Sequence, residues 1–550
     1  MRLWQEPPAS GKLLPHRSSH PVWLTHVSDI ELAMAPPFSD HAAIVGNVAV
    51  SSPLGEQAVL RRFRFVDSLN RPYRIEMELA DPAGEATAEQ LLGQGVTVTV
   101  PRPGGGERHF HGIVRHFTRR ITDGETAIYH CIAVPWLDLL DLGADFQIFQ
   151  QQSADEILDH LFTNLGFTAY DDGGLIGDYP KLEFCVQYGE SHREFAHRLM
   201  ERFGICYFHE HAQGGHTLKL VDAAAQHAPF PGADKLPFRF ASTTRLAEEH
   251  VFSWEATGSL QTGSCTVKDY DYAKPTANLL ATEQAGESSP AGEFERFEYP
   301  GVFATQNDAQ DAAKRRSEEL ACRSREVIGR AQSCGIAVGC TFTLHDCPVP
   351  SENGRYLVTG VEIELEPADG ADPTTADADR FLVSCRFTAI PAETQYRPLR
   401  QTPRPVVQGV QSAVVVGPEG HDPKTPYTDS LGRIKVQFHW DRKGQNNENS
   451  SCWLRTPHQS AGNGYGHVWL PRIGCEVLVA FVDGDPDRPT IVGHVYNGQT
   501  KLPLDLPGEA RVGIIKDDGG NSIKIDATDG GQVLAMFSPT DNSSLKLGKT

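Results

Sequence analysis

PRIGCEVLVAFVDGDPDRPTIVGHVYN, residues 471–497, reads as strand, tight turn, strand. Val477, Val479 and Phe481 alternate with residues of the opposite face, the period-two pattern of a half-buried strand, and after Pro489 the residues Ile491 and Val495 resume an apolar face. Between them Gly484, Pro486 and Pro489 restrict the backbone where it reverses, and Asp485 and Asp487 stand where a turn leaves amides to cap. Asp483, Asp485 and Asp487 also imitate the first half of a calcium loop. An EF-hand would need Gly after the third acid and Glu at its twelfth position, where Arg488 and His494 stand, so turn capping is the reading kept. The stretch is a rigid β-hairpin with no reaction centre.

Upstream, the glycines 462, 464 and 466 imitate a dinucleotide fingerprint, but His467-Val468-Trp469-Leu470 continues as a strand and no helix follows. A Gly-rich connection between strands is the simpler account. Trp440, Trp453 and Trp469 crowd into the same block, where they serve core packing or subunit contact, or else stack on bases or sugars. The formal charge of −21 opposes a nucleic-acid partner.

At 550 residues the chain exceeds one compact core, so three or four domains are expected. With Gly 51 and Pro 37 and few long helical patterns, it reads as mainly β with a few helices. No apolar run approaches the roughly 20 residues that cross a bilayer, and residues 1–30 lack the order of a signal peptide. Export is therefore expected without a cleaved signal. The 11 cysteines form no CxxC pair and read as reduced thiols.

Residues 1–46 are Pro- and His-rich and weakly patterned, and Met34 is an alternative start. Ordered β patterning is expected from about Val48. VLRRFRFV, YRIEMELA, VTVTV, RHFHGIVRHF and AIYHCIAV then read as strands, with Tyr73, Ile75, Met77 and Leu79 on one buried face. Ser153 with Glu156, and Ser191 with Glu194, form capping boxes ahead of two amphipathic helices that end at Gly166 and Gly204. A third helix is expected from Asn307 to about Cys322 behind Thr305, followed by strands in IAVGCTFTLHD, RYLVTGVEIEL and RFLVSCRFTAI. Two β-rich blocks separated by a helical insert thus occupy residues 47–395. Residues 396–404 read as a Pro/Arg-rich linker, 405–497 as the hairpin-bearing block, and 498–550 as a proline-spaced neck with SIKIDATDGGQVLAMF opening a β-spike.

His109 and His111, and His209 and His211 with His216 nearby, place imidazoles on one face of a strand, the minimum of a metal site. No acidic or cysteine ligand stands at matching spacing, and with 22 histidines in the chain the alternative is exposed strand histidines. No nucleophile elbow, Walker loop, HExxH or catalytic cysteine signature is present. No catalytic, cofactor-binding or metal residue is therefore assigned.

From residue 47 to about 510 the motifs fall in a recognisable order. They are Ser52-Pro53-Leu54-Gly55, Leu92-Gly93, His111-Gly112-Ile113-Val114, Tyr188-Gly189-Glu190-Ser191 and Gly204-Ile205-Cys206-Tyr207-Phe208. Gly432, Arg433, Val436, Gln437, Phe438, His439, Trp440 and Asp441 follow, then SSCWLR at 450–455, the AGNGYG run and the hairpin. This series resembles the VgrG proteins, trimeric spikes of type VI secretion machines and relatives of phage tail hub and puncturing proteins. Ser460 and Cys475 depart from it where tryptophan and glutamine are common.

The resemblance implies a hub of β-barrels (47–395), an OB-fold barrel (405–497) and the start of a trimeric β-helix or β-prism. It also implies a homotrimer that caps a hexameric Hcp-type tube, meets baseplate proteins, carries effectors, their adaptors or a PAAR-type tip, and touches the target membrane transiently. Such a chain is cytoplasmic during assembly and then secreted or delivered into the target cell. The alternatives are the hub of a phage or other contractile particle, a spike with its own lytic or toxic domain, and, more remotely, a sugar-binding module. Too few residues separate Asn497 from Arg511 for a lytic insert, so no enzyme activity is expected.

Overall fold

The computed structural model describes residues 43–548 apart from 56–57, 82–83, 85, 103–104, 121–126, 241–247, 286–293 and 369–380. The proposed alternative start at Met34, with nearly all of the N-terminal extension, lies outside the described residues. Order begins before Val48, because the strand Ala43–Val45 pairs antiparallel with Phe381–Val383.

The alternating apolar runs of both β blocks join one continuous sheet. Its path runs from His250–Gly258 through Arg325–Gln332, Phe381–Pro391, Gly354–Pro367, Val59–Ser68, Arg71–Asp81, Ala127–Val134, Glu107–Arg120 and Gly95–Pro101 to Ala49–Ser51. The seam between the blocks is the pairing of Gly360–Leu365 with Ser68–Phe63, so the two blocks share one sheet and one core. Phe63, Phe65, Tyr73, Ile75, Met77 and Leu79 are buried in that core, each worth about 1.5–3 kcal/mol of transfer free energy for the aliphatic and Phe side chains. Gly112 is required by close approach: a Cβ there would stand 2.9 Å from Cβ of Ala133 on the adjacent strand.

A second core gathers the helices Ala154–Asn164 and His192–Phe203 with the hairpin Cys206–Ala212/Gly215–Val221 and the short helix Trp136–Leu139. Both expected capping boxes form, and Gly166 and Gly204 carry the positive φ that ends each helix. The third expected helix is Gln306–Ala321, capped by Thr305 with Asp308, and it covers the small sheet Ser264–Lys268, Leu280–Gln284 and Glu295–Glu298.

Lys435–Phe438, Gln411–Val416, Glu476–Phe481 and Pro489–Val495 make a four-stranded antiparallel sheet around a third core. Val512–Lys516, Ser522–Asp526, Val533–Ser538 and Ser543–Gly548 form a four-stranded meander beyond it. All 11 cysteines are free. Among the described residues no helix is long and apolar enough to cross a membrane.

Candidate assembly sites

The hairpin at 476–495 forms as expected, with one correction. Val477, Val479, Phe481 and Ile491 are buried, but Val495 is exposed. The register slips between Leu478 and Val479, so that Val492 is an extra residue, and this bulge turns the rest of the strand to the other face. At the turn, Gly484 has φ 73°, and a Cβ there would lie 2.6 Å from Val406 Cγ1. The Val407 amide donates to the Gly484 carbonyl at 2.8 Å, which stitches the incoming chain to the turn.

The two aspartates divide the work. Asp485 Oδ1 accepts from the Asp487 amide at 3.0 Å, the local cap that the spacing predicts. Asp487 instead reaches across to the hub, where its Oδ1 accepts from the Val186 amide at 2.7 Å. Arg404 bridges both carboxylates, at 2.7 Å to Asp485 and 2.8 Å to Asp487. Burial, and then the neighbouring Asp487, push the Asp485 carboxyl above its ordinary range.

The other side of Val186 is held as firmly. Its carbonyl accepts from Arg198 Nη2 at 2.7 Å, and the same guanidinium makes a buried bidentate pair with Glu190. Phe184 and Val186 belong to the third core with Val477, Val479 and Phe481, so the hub strand Cys185–Ser191 and its approach complete the core of the hairpin block. Trp440 packs on Phe438 and faces Phe146 and Tyr188 across the joint, and its indole donates to Gln411 Oε1 at 2.9 Å. The motif Tyr188-Gly189-Glu190-Ser191 thus acquires four separate duties: an aromatic contact, a left-handed turn against Phe146, the Arg198 partner and the helix cap.

The Pro/Arg-rich segment that follows residue 395 is hydrogen-bonded to the hub. Arg397 donates to the carbonyls of Gly204 and Asp222 at 2.9 and 2.8 Å and to Glu318 Oε2 at 2.8 Å. The amides of Gln401 and Thr402 both donate to Glu201 Oε2. The arginines that mark this segment as polar are its clamps. Sequence reasoning passed over Val186, Arg198 and Arg404, and only the Pro/Arg composition of the linker hinted at the last.

The spike meander has an unsatisfied face. Its register sets Ile515, Ile523, Met536 and Leu545 side by side in one layer and Ile525, Leu534 and Leu547 in the next. All seven are exposed, and with Trp469 the first layer borders a cleft of about 540 Å³. A contiguous aliphatic face of this kind marks an association surface. Trp469 therefore borders this exposed face, whereas Trp453 packs against Tyr427 and Lys435 within the hairpin block. The glycines 462 and 464 belong to a strand-turn-strand excursion, Ser460–Gly462 with Tyr465–His467.

The histidines differ most from expectation. His111, His209 and His216 are buried rather than exposed on strands. The two sets converge, with His111 Nδ1 at 2.8 Å from His216 Nδ1, while His109 stays apart on Thr99 Oγ1 at 3.0 Å. Sequence spacing within each strand carried no sign of this meeting between strands. Among the described residues no group of three or more His, Cys, Asp or Glu side chains is arranged to hold a metal ion.

A continuous β hub, a small sheet-wrapped core clamped to it and a meander with an open aliphatic face together define a tail-hub and spike class of protein. The family model for the phage tail baseplate hub matches residues 66–368, and that for the type VI secretion system/phage-baseplate injector OB domain matches residues 424–496. The chain belongs to the VgrG family of type VI secretion spike proteins. It is 36% identical to the spike protein VgrG1a of Pseudomonas aeruginosa, covering 90% of this chain and 78% of that one. It is 37% identical to VgrG1b of the same organism over 84% of this chain, but spans only 62% of that relative's length. Among solved structures, an Escherichia coli type VI secretion component described as similar to bacteriophage T4 tail proteins gp27 and gp5 shares the fold at TM-score 0.56 and 20% identity, covering 81% of this chain and all of that one.

Proposed function

We propose that this chain is the structural subunit of a type VI secretion spike and works as a homotrimer. The observation that carries the reading is the aliphatic face of the spike meander. Three such faces closing on a threefold axis would bury it, a closed symmetry that leaves no open association surface. Two β-rich halves per hub, three times over, would present a pseudo-sixfold end to a hexameric Hcp-type tube. The spike end would carry effectors, directly or through adaptors, or a PAAR-type tip, and baseplate proteins would hold the hub until a contracting sheath drives the trimer through the target membrane. The protein would be cytoplasmic during assembly and leave the cell without a cleaved signal.

The role is mechanical, with no catalytic chemistry and no nucleic-acid partner assigned. One relative, from Vibrio cholerae, is named an actin cross-linking toxin, and the 30%-identical match covers 43% of its length. Light scattering on the purified chain tests the central claim, with an expected mass three times that of one chain. A folded monomer at micromolar concentration would refute it. Hydrolysis of peptidoglycan, phospholipid or nucleotide by the purified protein, lost on changing one residue, would promote a toxic reading instead. The hub of a phage or other contractile particle would share this fold, and recruitment of a hexameric secretion tube in cells distinguishes the two.

A further inference from the structure

Four imidazoles meet at the seam between the main sheet and the helical layer. His111 lies on the strand Glu107–Arg120, His209 and His211 on Cys206–Ala212, and His216 on Gly215–Val221, directly opposite His211. Their hydrogen bonds dictate their protons. The Trp136 amide donates to His216 Nε2 at 3.0 Å, so that nitrogen is bare and the His216 proton sits on Nδ1, from which it donates to His111 Nδ1. The His111 amide donates to His211 Nδ1 at 3.1 Å, so that nitrogen is bare too. His209 Nδ1 and Nε2 and His211 Nε2 are sealed from solvent with no partner. Each ring except His209 therefore accepts a hydrogen bond that exists only while the ring is neutral.

We propose that this imidazole cluster is an acid-operated latch: the seam is closed with all four rings neutral, and protonation breaks the bonds that tie Glu107–Arg120 and Trp136 to the Cys206–Val221 hairpin.

The surroundings offer no counter-charge. Tyr73, from Arg71–Asp81, packs its ring on His209, His211 and His216 and donates to the His111 carbonyl. Gly95 and Thr97 face the cluster from Gly95–Pro101. Arg108, on the strand of His111, adds a like charge near His211. His197, on the helix His192–Phe203, bonds the Tyr207 hydroxyl at 3.0 Å, with Arg193, Arg71 and Asp141 beyond it. Asp67, from Val59–Ser68, is itself pushed up to about 8 by burial and so holds a proton at neutral pH. Glu210 lies on the outer face, with Lys219.

Burial depresses all four rings, His216 to about 3 and His209 and His211 well below their ordinary range. The sign follows. Unfolded histidines protonate near 6.5 and folded ones do not, so the contribution is fully present above about pH 6.5 and is lost as pH falls. Asp67 acts oppositely, since its folded form holds a proton that the open form releases between the ordinary carboxylate range and about pH 8. His209, His211 and His216, the rings held furthest down, outnumber Asp67 by two protons, so the closed-to-open ratio falls by about a hundredfold per pH unit near pH 5.

Two readouts on the full chain test this. Deuterium exchange at the imidazole C2 position, read by mass spectrometry, should place the half-titration of His209, His211 and His216 well below the ordinary 6.5. Amide protection in Cys206–Val221, corrected for the intrinsic rate, should collapse between pH 6.5 and 5 before that in Glu476–Phe481. In the double variant His209→Phe, His216→Gln, which keeps the ring volume and the Trp136 acceptor, the fall should be about a hundredfold shallower per pH unit. Titration of these rings near 6.5 in the folded chain, or an unchanged slope in the variant, would overturn the proposal. Should the variant fail to fold, the C2 measurement on the parent still decides.

Discussion

At Gly484 and Asp487 a single atom's position decides whether two parts of the molecule meet. A Cβ at residue 484 would demand a left-handed backbone of a branched side chain and collide with Val406, so Gly484→Val should cost about 1–3 kcal/mol, read as a lower denaturation midpoint. Asp487→Ala leaves the buried Val186 amide without an acceptor and Arg404 with one carboxylate instead of two. That loss should be about 1–3 kcal/mol, while Asp483→Asn, exposed in the same turn at a left-handed backbone that Asn also tolerates, should change the midpoint little. Equal effects at 483 and 487 would show that the turn does not dock the hub. The hairpin's period-two pattern disclosed which face is buried. It could not disclose the bulge at Val492, because an inserted residue leaves no mark in alternation except where a partner strand is known.

Among the elements, the helix His192–Phe203 deserves its capping box, because it carries Arg198 into the joint. The Ser191 hydroxyl accepts from the Glu194 amide, and Ser191→Ala should destabilise the chain by about 0.5–2 kcal/mol, visible as a lower midpoint. The spike meander makes the opposite kind of prediction, about association rather than folding. Met536→Lys sets a charge at the middle of the first aliphatic layer, beside Ile523 and Leu545, and burying it in a threefold contact would be prohibitive. Light scattering should show dissociated chains, with the hub's near-ultraviolet dichroism retained. Retention of the parent's mass would mean that this face is not the contact. Both capping boxes were legible because a cap is a local device, with donor and acceptor three residues apart.

For the whole molecule, the clamps argue against independent domains. Phe184 and Val186 of the hub lie in one core with Phe438, Val477 and Phe481, and Arg397 and Arg404 pin the intervening segment at both ends. Calorimetry should therefore show the hub and the OB block unfolding together, and a separate early OB transition would contradict the shared core. The two β blocks are likewise not separate, since they pair along Gly360–Leu365 and Ser68–Phe63 into one sheet.

The sequence by itself determined the local and the periodic: which strands have a buried face, where two helices begin and end, that the turn at 484 needs a glycine, and, through the order of its motifs, the VgrG family. Tertiary structure alone decided what meets across the chain. His111 and His216 are more than a hundred residues apart, and nothing in the spacing of either strand says that their rings face one another. Arg404 reads as linker charge until Asp485 and Asp487 are seen beside it. The physical reason is one of range. Backbone propensity and capping act over three or four residues and are written in neighbouring letters, whereas burial, pairing and the loss of solvent around an imidazole depend on distant segments packed against it.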